Sequence, residues 1–344
     1  MKGFLYLVSN HRIQFESRLF LKKKSFGYIY LPLKGFKKYF FFFFNILYPL
    51  LNLNHNQIYL LLNLILRKKN TIISYSYLSK RVQDLSKKFE FLKIVQIQNG
   101  ALHQKLQEDL NLKYIDIFLS ISEFQSKNAL KHFAKRAFVV GSLSTENWIK
   151  NVKIACDINK FQYDICFICN TKFEKDIRYA LNLSLSYILT NKNLSLFLAT
   201  KSKTNIRQIA NYCKDNFKVD IYNHSQISFT KSFTKYSTIE NALKAKVIVG
   251  VRSTVLYQLG SLGHVIYPID ISEKYGNMSG NLLNININLN PPKELFFEKI
   301  KEISTKNGRK KYIDDNFDVL EKLDETLRLK NLPSDNIIKS LEEI

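Results

Sequence analysis

The stretch from Val247 to Asp270 constrains the fold most. Val247-Ile248-Val249-Gly250-Val251 is an apolar strand that runs into the polar turn Arg252-Ser253-Thr254, and Val255 to Gly260 continues as a helix. Gly263-His264-Val265-Ile266-Tyr267-Pro268-Ile269-Asp270 then reads as the next parallel strand. A strand, helix, strand unit of this kind offers a ligand site at the carboxyl end of its first strand. Ser253, Thr254 and the unpaired amides of a first helical turn can all donate to phosphate, and the Arg252 guanidinium can hold two phosphate oxygens at once. The competing reading is an ordinary Ser/Thr helix cap. No G-x-x-x-x-G-K-[ST] occurs, which disfavours a P-loop nucleotidase.

The same alternation extends in both directions. Strands are expected at Phe4 to Val8, Phe26 to Leu31, Thr71 to Tyr77, Leu92 to Ile97, Tyr114 to Ser120 and Ala137 to Val140. Helical spacing marks Leu78 to Phe91, Ala101 to Leu110 and Glu123 to Phe133, whereas Asn56 to Leu66 fits either a helix or a strand. A second series runs from the strand Tyr163 to Cys169 through the helix Phe173 to Thr190, strand Leu194 to Ala199, helix Asn205 to Asn216 and strand Val219 to Tyr222. Ser237 to Ala245 is a short helix that leads into the opening segment, and Asn277 to Asn290 reads as a loop around one irregular strand. With 344 residues, two domains are expected. The boundaries are 1–145 and 160–290, each a mostly parallel, helix-flanked α/β sheet, and a charged helical tail covers 293–344.

The chain carries 52 basic against 29 acidic residues, a formal charge of +23. Such a surface attracts nucleic acid, anionic lipid or phosphorylated small molecules. No helix-turn-helix, zinc finger or aromatic RNA-binding pattern is present, so nucleic acid is not favoured. Cys166 and Cys169 form a C-x-x-C inside what reads as a buried strand, which suits small core residues and reduced thiols better than a redox site. The histidines show no metal-site spacing with cysteines or carboxylates, and no metal is expected. Met1 to Ser9 lacks a basic leader and a small-residue cleavage site, so no signal peptide is indicated and a cytoplasmic location is expected. The aromatic run Tyr39 to Leu51 follows Lys34, Lys37 and Lys38, and a second apolar run, Ile58 to Leu66, ends at Arg67-Lys68-Lys69. Both are shorter than a membrane span. They fit an in-plane contact with anionic lipid on the inner face of the cytoplasmic membrane, or two buried elements with a solvated basic rim.

Three short markers carry a family resemblance. Ile94-Val95-Gln96-Ile97-Gln98-Asn99-Gly100 ends a strand in the place of a Gln-His-Gly; Ile115-Asp116-Ile117-Phe118-Leu119 leads to Phe138-Val139-Val140-Gly141-Ser142; and Ala245-Lys246 runs through Ser253-Thr254 to Gly263-His264-Val265. Together they resemble the bacterial surface-carbohydrate glycosyltransferases of the GT-B-like, two-Rossmann-domain type that make capsule and lipopolysaccharide, and more distantly the glycerophosphate polymerases. The resemblance spans roughly residues 92 to 290. It departs at Asn99, which stands where the family has His and cannot act as a base near neutral pH. Thr200-Lys201-Ser202-Lys203 likewise replaces a basic-His-Pro segment.

The resemblance implies two Rossmann-like domains facing each other across a cleft, with a nucleotide-sugar donor on the second and an acceptor over the first. No cofactor is implied beyond that donor. Leaving-group charge would be met by Arg252, Ser253, Thr254 and helix amides, with Lys201 or Lys203 in place of the missing segment. Gln258 is a candidate for lining the donor site, and Asp270 for contacting a ribose or base. His103, Asp116 and Glu123 are the candidate general bases, while Gln98, Asn99 and Gly100 orient a sugar hydroxyl or hold the loop. The implied reaction is sugar transfer from a nucleotide-activated donor to a lipopolysaccharide, lipooligosaccharide or capsule acceptor, lipid-linked or on a surface glycan. The alternatives are glycerophosphate or phosphopolyol transfer, nucleic-acid binding, and a non-catalytic protein of this fold.

Overall fold

The computed structural model describes residues 4–9, 16–24, 26–31, 39, 53–75, 77–99, 112–146, 161–169, 175–233, 237–251, 253–270, 288–289, 291–322 and 324–344. The chain divides into two compact units, Met1–Asn147 with Asp324–Ile344, and Trp148–Leu323.

Unit one runs β1 (Phe4–Ser9), α1 (Arg18–Leu21), β2 (Gly27–Leu31), α2 (His55–Leu66), β3 (Thr71–Ser74), α3 (Lys80–Lys88), β4 (Lys93–Ile97), β5 (Ile115–Ser120), α4 (Glu123–His132) and β6 (Ala134–Val139). Its strands form one parallel sheet in the order β2-β1-β3-β4-β5-β6. Side chains alternate between two faces, as the strand period requires. Leu5, Leu7, Ile72, Ile94 and Ile115 lie in a core with Leu60 and Leu64 of α2, Leu85 of α3 and Ala129 of α4. Tyr6, Val8, Ile73, Val95 and Ile117 share the opposite core with Phe20 of α1 and with Ile337, Ile338 and Leu341 of the last helix. The ambiguous segment before β3 is a helix because Asn54 and Gln57 close a reciprocal capping box. Asn54 Oδ1 accepts from the Asn56 and Gln57 amides at 3.0 and 3.1 Å, and Gln57 Oε1 accepts from the Asn54 amide at 2.8 Å. The helix expected at Ala101 to Leu110 lies outside the described residues.

Unit two runs β7 (Tyr163–Cys169), α5 (Lys175–Leu189), β8 (Leu196–Thr200), α6 (Lys203–Phe217), β9 (Ile227–Phe229), α7 (Ser237–Ala242), β10 (Ala245–Gly250), α8 (Thr254–Ser261), β11 (Ile266–Asp270), β12 (Asn288–Leu289), α9 (Lys293–Ser304) and α10 (Lys306–Glu321). Every pairing is again parallel, in the order β12-β11-β10-β7-β8-β9. Counted from β7 as the first strand, this is the 3-2-1-4-5-6 order of dinucleotide-binding sheets, with the chain reversing its direction of travel between β7 and β10. Ile177, Ala180, Leu181, Leu185 and Ile188 of α5 enter the core with Val247 and Val249 of β10.

One expected strand is absent. Val219 to Tyr222 is a turn: Lys218 caps α6 in the left-handed region at φ 56°, and Asp220 Oδ1 accepts from the Tyr222 amide at 3.0 Å. Val219 and Ile221 are buried as core plugs, and the edge strand is β9 instead. Of the Asn-rich stretch, only β12 falls among the described elements. The two expected Rossmann-like halves with C-terminal helices are present, but the 293–344 tail is shared between them. Phe296, Ile300 and Ile303 of α9 join the unit-two core, whereas α11 (Pro333–Glu342) belongs to unit one.

The returning chain seats on Gly141-Ser142, the end of the second of the three short motifs. Gly141 has φ +85°, and a Cβ there would come within 2.8 Å of Leu329 and 2.9 Å of Pro333, so only glycine fits. Thr326 Oγ1 accepts from the Ser142 amide at 2.7 Å, and the buried Asp324 carboxylate accepts from the Thr145 and Thr326 hydroxyls. Leu332 occupies the N-cap position of α11 and has no capping side chain. Glu146 supplies it from across the unit, accepting from the Ser334 amide at 2.7 Å and its hydroxyl at 2.8 Å. Glu146→Ala is expected to cost about 2–3 kcal/mol of unfolding free energy, read by urea denaturation. Glu146→Gln should recover part of that loss, and wild-type stability in Glu146→Ala would reject the capping role.

Candidate functional site

In an open parallel sheet, ligands bind outside the carboxyl ends of the strands where the strand order reverses. In unit two that point lies between β7 and β10, which pair in register as Val249↔Phe167 and Gly250↔Ile168. The chain leaves β10 through Val251 and enters α8 with Ser253 as N-cap, its backbone extended at φ −107° and ψ 121°. The Ser253 carbonyl accepts from the Leu256 amide at 3.0 Å, but its hydroxyl makes no capping bond to α8. Ser253 and Gln258 are both buried. Thr254 opens the helix, and Asp270 ends β11 beside β12. Arg252 and the side chains of Thr254 and Asp270 lie outside the described residues.

Lys201 and Lys203 flank the exit of β8, and both are exposed. Between them Ser202 caps α6, accepting from the Asn205 amide at 3.2 Å. β8 is two strands from β10, a separation of about 10 Å at the usual strand spacing. The strand order therefore puts Ser253, Lys201 and Lys203 on one pole of one sheet, whereas Gln258 stands a turn further along α8. Asp176 was not singled out in the sequence. It sits buried in the first turn of α5, one loop past the end of β7.

The return from α8 is set by Gly263, which turns at φ +82° and lets the His264 amide reach the Leu259 carbonyl at 3.1 Å. His264 is buried, and neither of its ring nitrogens has a hydrogen-bond partner. Burial, reinforced by the nearby Arg309 guanidinium, pushes its pKa down to about 3.

In unit one, Gln98 leaves β4 and is buried. Its Oε1 accepts from the Ile121 amide at 3.0 Å, and its Nε2 donates to Gln125 Oε1 at 3.2 Å, which ties the exits of β4 and β5 to the start of α4. These contacts are those of a residue that holds the loop. The Asn99 carbonyl accepts from the Tyr77 hydroxyl at 3.3 Å, and the residue is exposed. Gln96 and Gln125, both buried beside Gln98 along the chain and in space, carry one atom each, Oε1 and Nε2, without a hydrogen-bond partner. Glu123 begins α4 at this same pole, exposed and paired with Lys127 at 2.9 Å, a cation that holds its carboxyl below the ordinary range. Asp116 lies at the opposite pole, near the start of β5. It accepts from the Ile94 amide at 2.8 Å and from Lys135 at 2.7 Å. Gly100 and His103 lie outside the described residues.

Cys166 and Cys169 are buried free thiols three residues apart on one strand, so their side chains leave opposite faces. Burial pushes the Cys169 thiol up to about 11. Among the described residues no group of three or more His, Cys, Asp or Glu side chains could hold a metal ion.

Two parallel Rossmann-like lobes with C-terminal helices make this a GT-B-like fold. No protein-family model matches the chain, and no curated protein matches it. Solved structures do. S. aureus MnaA, in a co-structure with UDP, has a TM-score of 0.60 at 10% identity, over 99% of this chain and 96% of that one. A glycosyltransferase from Rickettsia africae ESF-5 has a TM-score of 0.56 at 10% identity, covering 98% and 96%. The wall teichoic acid polymerase TagF has a TM-score of 0.55 at 12% identity, covering 100% and 90%. At such identities the likeness is one of fold.

A pH dependence follows from His264. Its folded pKa of about 3 lies below the ordinary 6.5, so as pH falls the unfolded chain takes up the proton first. Stability that is fully present above pH 6.5 is therefore lost progressively toward pH 3, by on the order of 4–5 kcal/mol in full. Replacing His264 by Leu should flatten the decline in unfolding free energy between pH 7 and pH 4; an unchanged slope would exclude the histidine as its source.

Proposed function

We propose that the chain is an enzyme that binds a nucleotide-activated donor at the carboxyl pole of unit two and transfers the activated group to an acceptor hydroxyl. The observation that carries this reading is the strand order of unit two, with Ser253 at the start of α8 beside the β7–β10 reversal. The amides of the first α8 turn and the Ser253 hydroxyl suit a diphosphate, and Arg252, Lys201 and Lys203 supply the countercharge as the nucleotide leaves. Three solved structures of this fold support a nucleotide-linked substrate in different ways: one is a UDP co-structure, one is a glycosyltransferase, and one is a teichoic acid polymerase.

The main reading is glycosyl transfer to a lipopolysaccharide, lipooligosaccharide or capsule acceptor, lipid-linked or on a surface glycan, at the inner face of the membrane. The acceptor binds over unit one, where Gln98 holds the loop after β4. Asn99 cannot act as the base, so the acceptor proton goes to Glu123 or His103. Asp116 is a weaker candidate, since both of its oxygens are engaged at the far end of the sheet. A second reading, transfer of glycerophosphate or another phosphopolyol, is favoured by the TagF likeness, which extends over 100% of this chain.

Thermal shift with UDP, CDP, CMP, GDP and dTDP tests the donor site. A nucleotide at a hundred times its Kd should stabilise the protein by about 2.7 kcal/mol. Arg252→Ala and Ser253→Ala should shrink that shift and leave the ligand-free midpoint unchanged. No shift with any nucleotide, together with tight, salt-sensitive RNA binding, would overturn the proposal in favour of nucleic-acid binding. Turnover then separates the two readings: a nucleoside diphosphate released from a nucleotide-sugar marks glycosyl transfer, and CMP released from CDP-glycerol marks phosphopolyol transfer.

A further inference from the structure

Helix α2 has no Asp, Glu, Lys or Arg among its twelve residues, in a chain that is 24% charged. Ile58, Leu60, Leu61 and Leu64 account for its inner face, all buried in unit one. A helix with only that role would carry charges on its outer face. Here the outer positions Tyr59 and Leu62 are half-buried against the same core and Leu66 is 78% exposed, while Ile65, one heptad after Ile58 and on its face, is 62% exposed at the carboxyl end of the helix. Asn63, also on this side, donates its amide to the Tyr59 carbonyl at 2.9 Å, so its polarity is spent on the helix's own backbone.

The helix ends in Arg67-Lys68-Lys69. The Lys68 amide donates to the Ile65 carbonyl at 3.0 Å and the Lys69 amide to the Leu64 carbonyl at 2.8 Å, a closure that places Lys68 in the left-handed region at φ 52°. Glycine is the ordinary occupant of that position, because it takes the conformation without strain. A lysine there holds an exposed cation directly beside two exposed apolar side chains, at some cost to the backbone.

We propose that the carboxyl end of α2 docks on an anionic lipid bilayer, with Ile65 and Leu66 entering the boundary between headgroups and acyl chains and the exposed Lys68 cation meeting the lipid phosphates. Twelve residues rise about 18 Å, short of the roughly 30 Å of a hydrocarbon core, so the contact lies in the plane of the membrane. Among the described residues, no helix is long and apolar enough to cross a membrane. Two side chains are also far too small an area for a stable protein interface, which needs roughly 800 Å² from each partner. A charged surface that draws in a chain of net charge +23 needs only such a wedge to hold it. This deepens the membrane side of the proposed function and rests on the inner-face location given there, whereas nucleotide binding by unit two is measured separately.

The test is co-flotation of the full chain with vesicles of phosphatidylcholine alone or mixed with phosphatidylglycerol. Wild type should float with the anionic vesicles and be released by high salt. The double variant Ile65→Ser with Leu66→Ser should lose about tenfold or more in partitioning, with its UDP or CDP thermal shift unchanged. Lys68→Gly should lose about fivefold in partitioning, the effect of one cation near an anionic surface. Its thermal midpoint should stay the same or rise, because glycine relieves the left-handed strain. That pairing separates a lipid contact from a general loss of fold. No flotation of wild type, equal flotation with neutral vesicles, or wild-type partitioning by both variants overturns the proposal. It is also overturned if only replacement of Phe41 to Phe44 releases the protein, or if wild type self-associates through this face and the serine variant does not.

Discussion

Parallel strand pairing is the constraint on which the rest of the molecule depends. Parallel neighbours cannot be joined by a tight turn, so each connection must climb back over the sheet, here by helices wherever the connection is described. That covers both faces and makes the central strands apolar on both sides, as Ile165 to Cys169 and Val247 to Gly250 are. It also brings every helix that follows a strand to the carboxyl pole amino end first, with its unpaired amides and positive dipole end. Where successive connections part to opposite sides, between β7 and β10, the pole opens, and Ser253 begins its helix there.

Unit one obeys the same constraint but is completed by chain that returns from 177 positions further on, since Asn147 and Asp324 bound the insertion of unit two. The return is held by polar groups as much as by the apolar face of α11. Glu146, fully buried, stands in for the N-cap that Leu332 cannot provide, and Asp324 gathers the Thr145 and Thr326 hydroxyls while burial pushes its carboxyl up. Buried carboxylates are tolerated when every oxygen has a donor, and removing a partner costs more than the bond itself was worth.

The fold is shared by proteins with different activities, so chemistry must be argued from the side chains at the poles. Where β4 and β5 end, the buried side chains include the amides Gln96, Gln98 and Gln125 and the hydroxyls Ser120 and Ser122, none of which is a base near neutral pH. They shape and orient. In the proposed transfer a proton acceptor has to come from an ionisable neighbour, because the Asn99 amide cannot serve.

Much of the architecture was legible in the sequence. Short β-branched runs and core-facing repeats such as Ile177, Ala180, Leu181, Leu185 and Ile188 carry their own period, and local sterics turn that period into strands and helices. The Ser253 turn was legible for the same reason, because strand, N-cap residue and helix are adjacent in the chain. Val219 to Tyr222 was misleading: its apolar residues are buried, but an Asp220 turn and a left-handed Lys218 hide that burial outside the sheet. The wide separation of Asp116 from Gln98 follows from which end of a strand each occupies, and the contacts of Gln98 with Ile121 and Gln125 join residues more than twenty positions apart. The amino-acid sequence by itself determined most of the elements, their alternation and the Ser253 turn, because these rest on neighbours within a few residues. Only the tertiary structure decided the strand order, the pole on which each side chain stands, the division of the C-terminal helices and the exposure of Ile65 and Leu66, because each of these depends on which distant segments the packed sheets bring together.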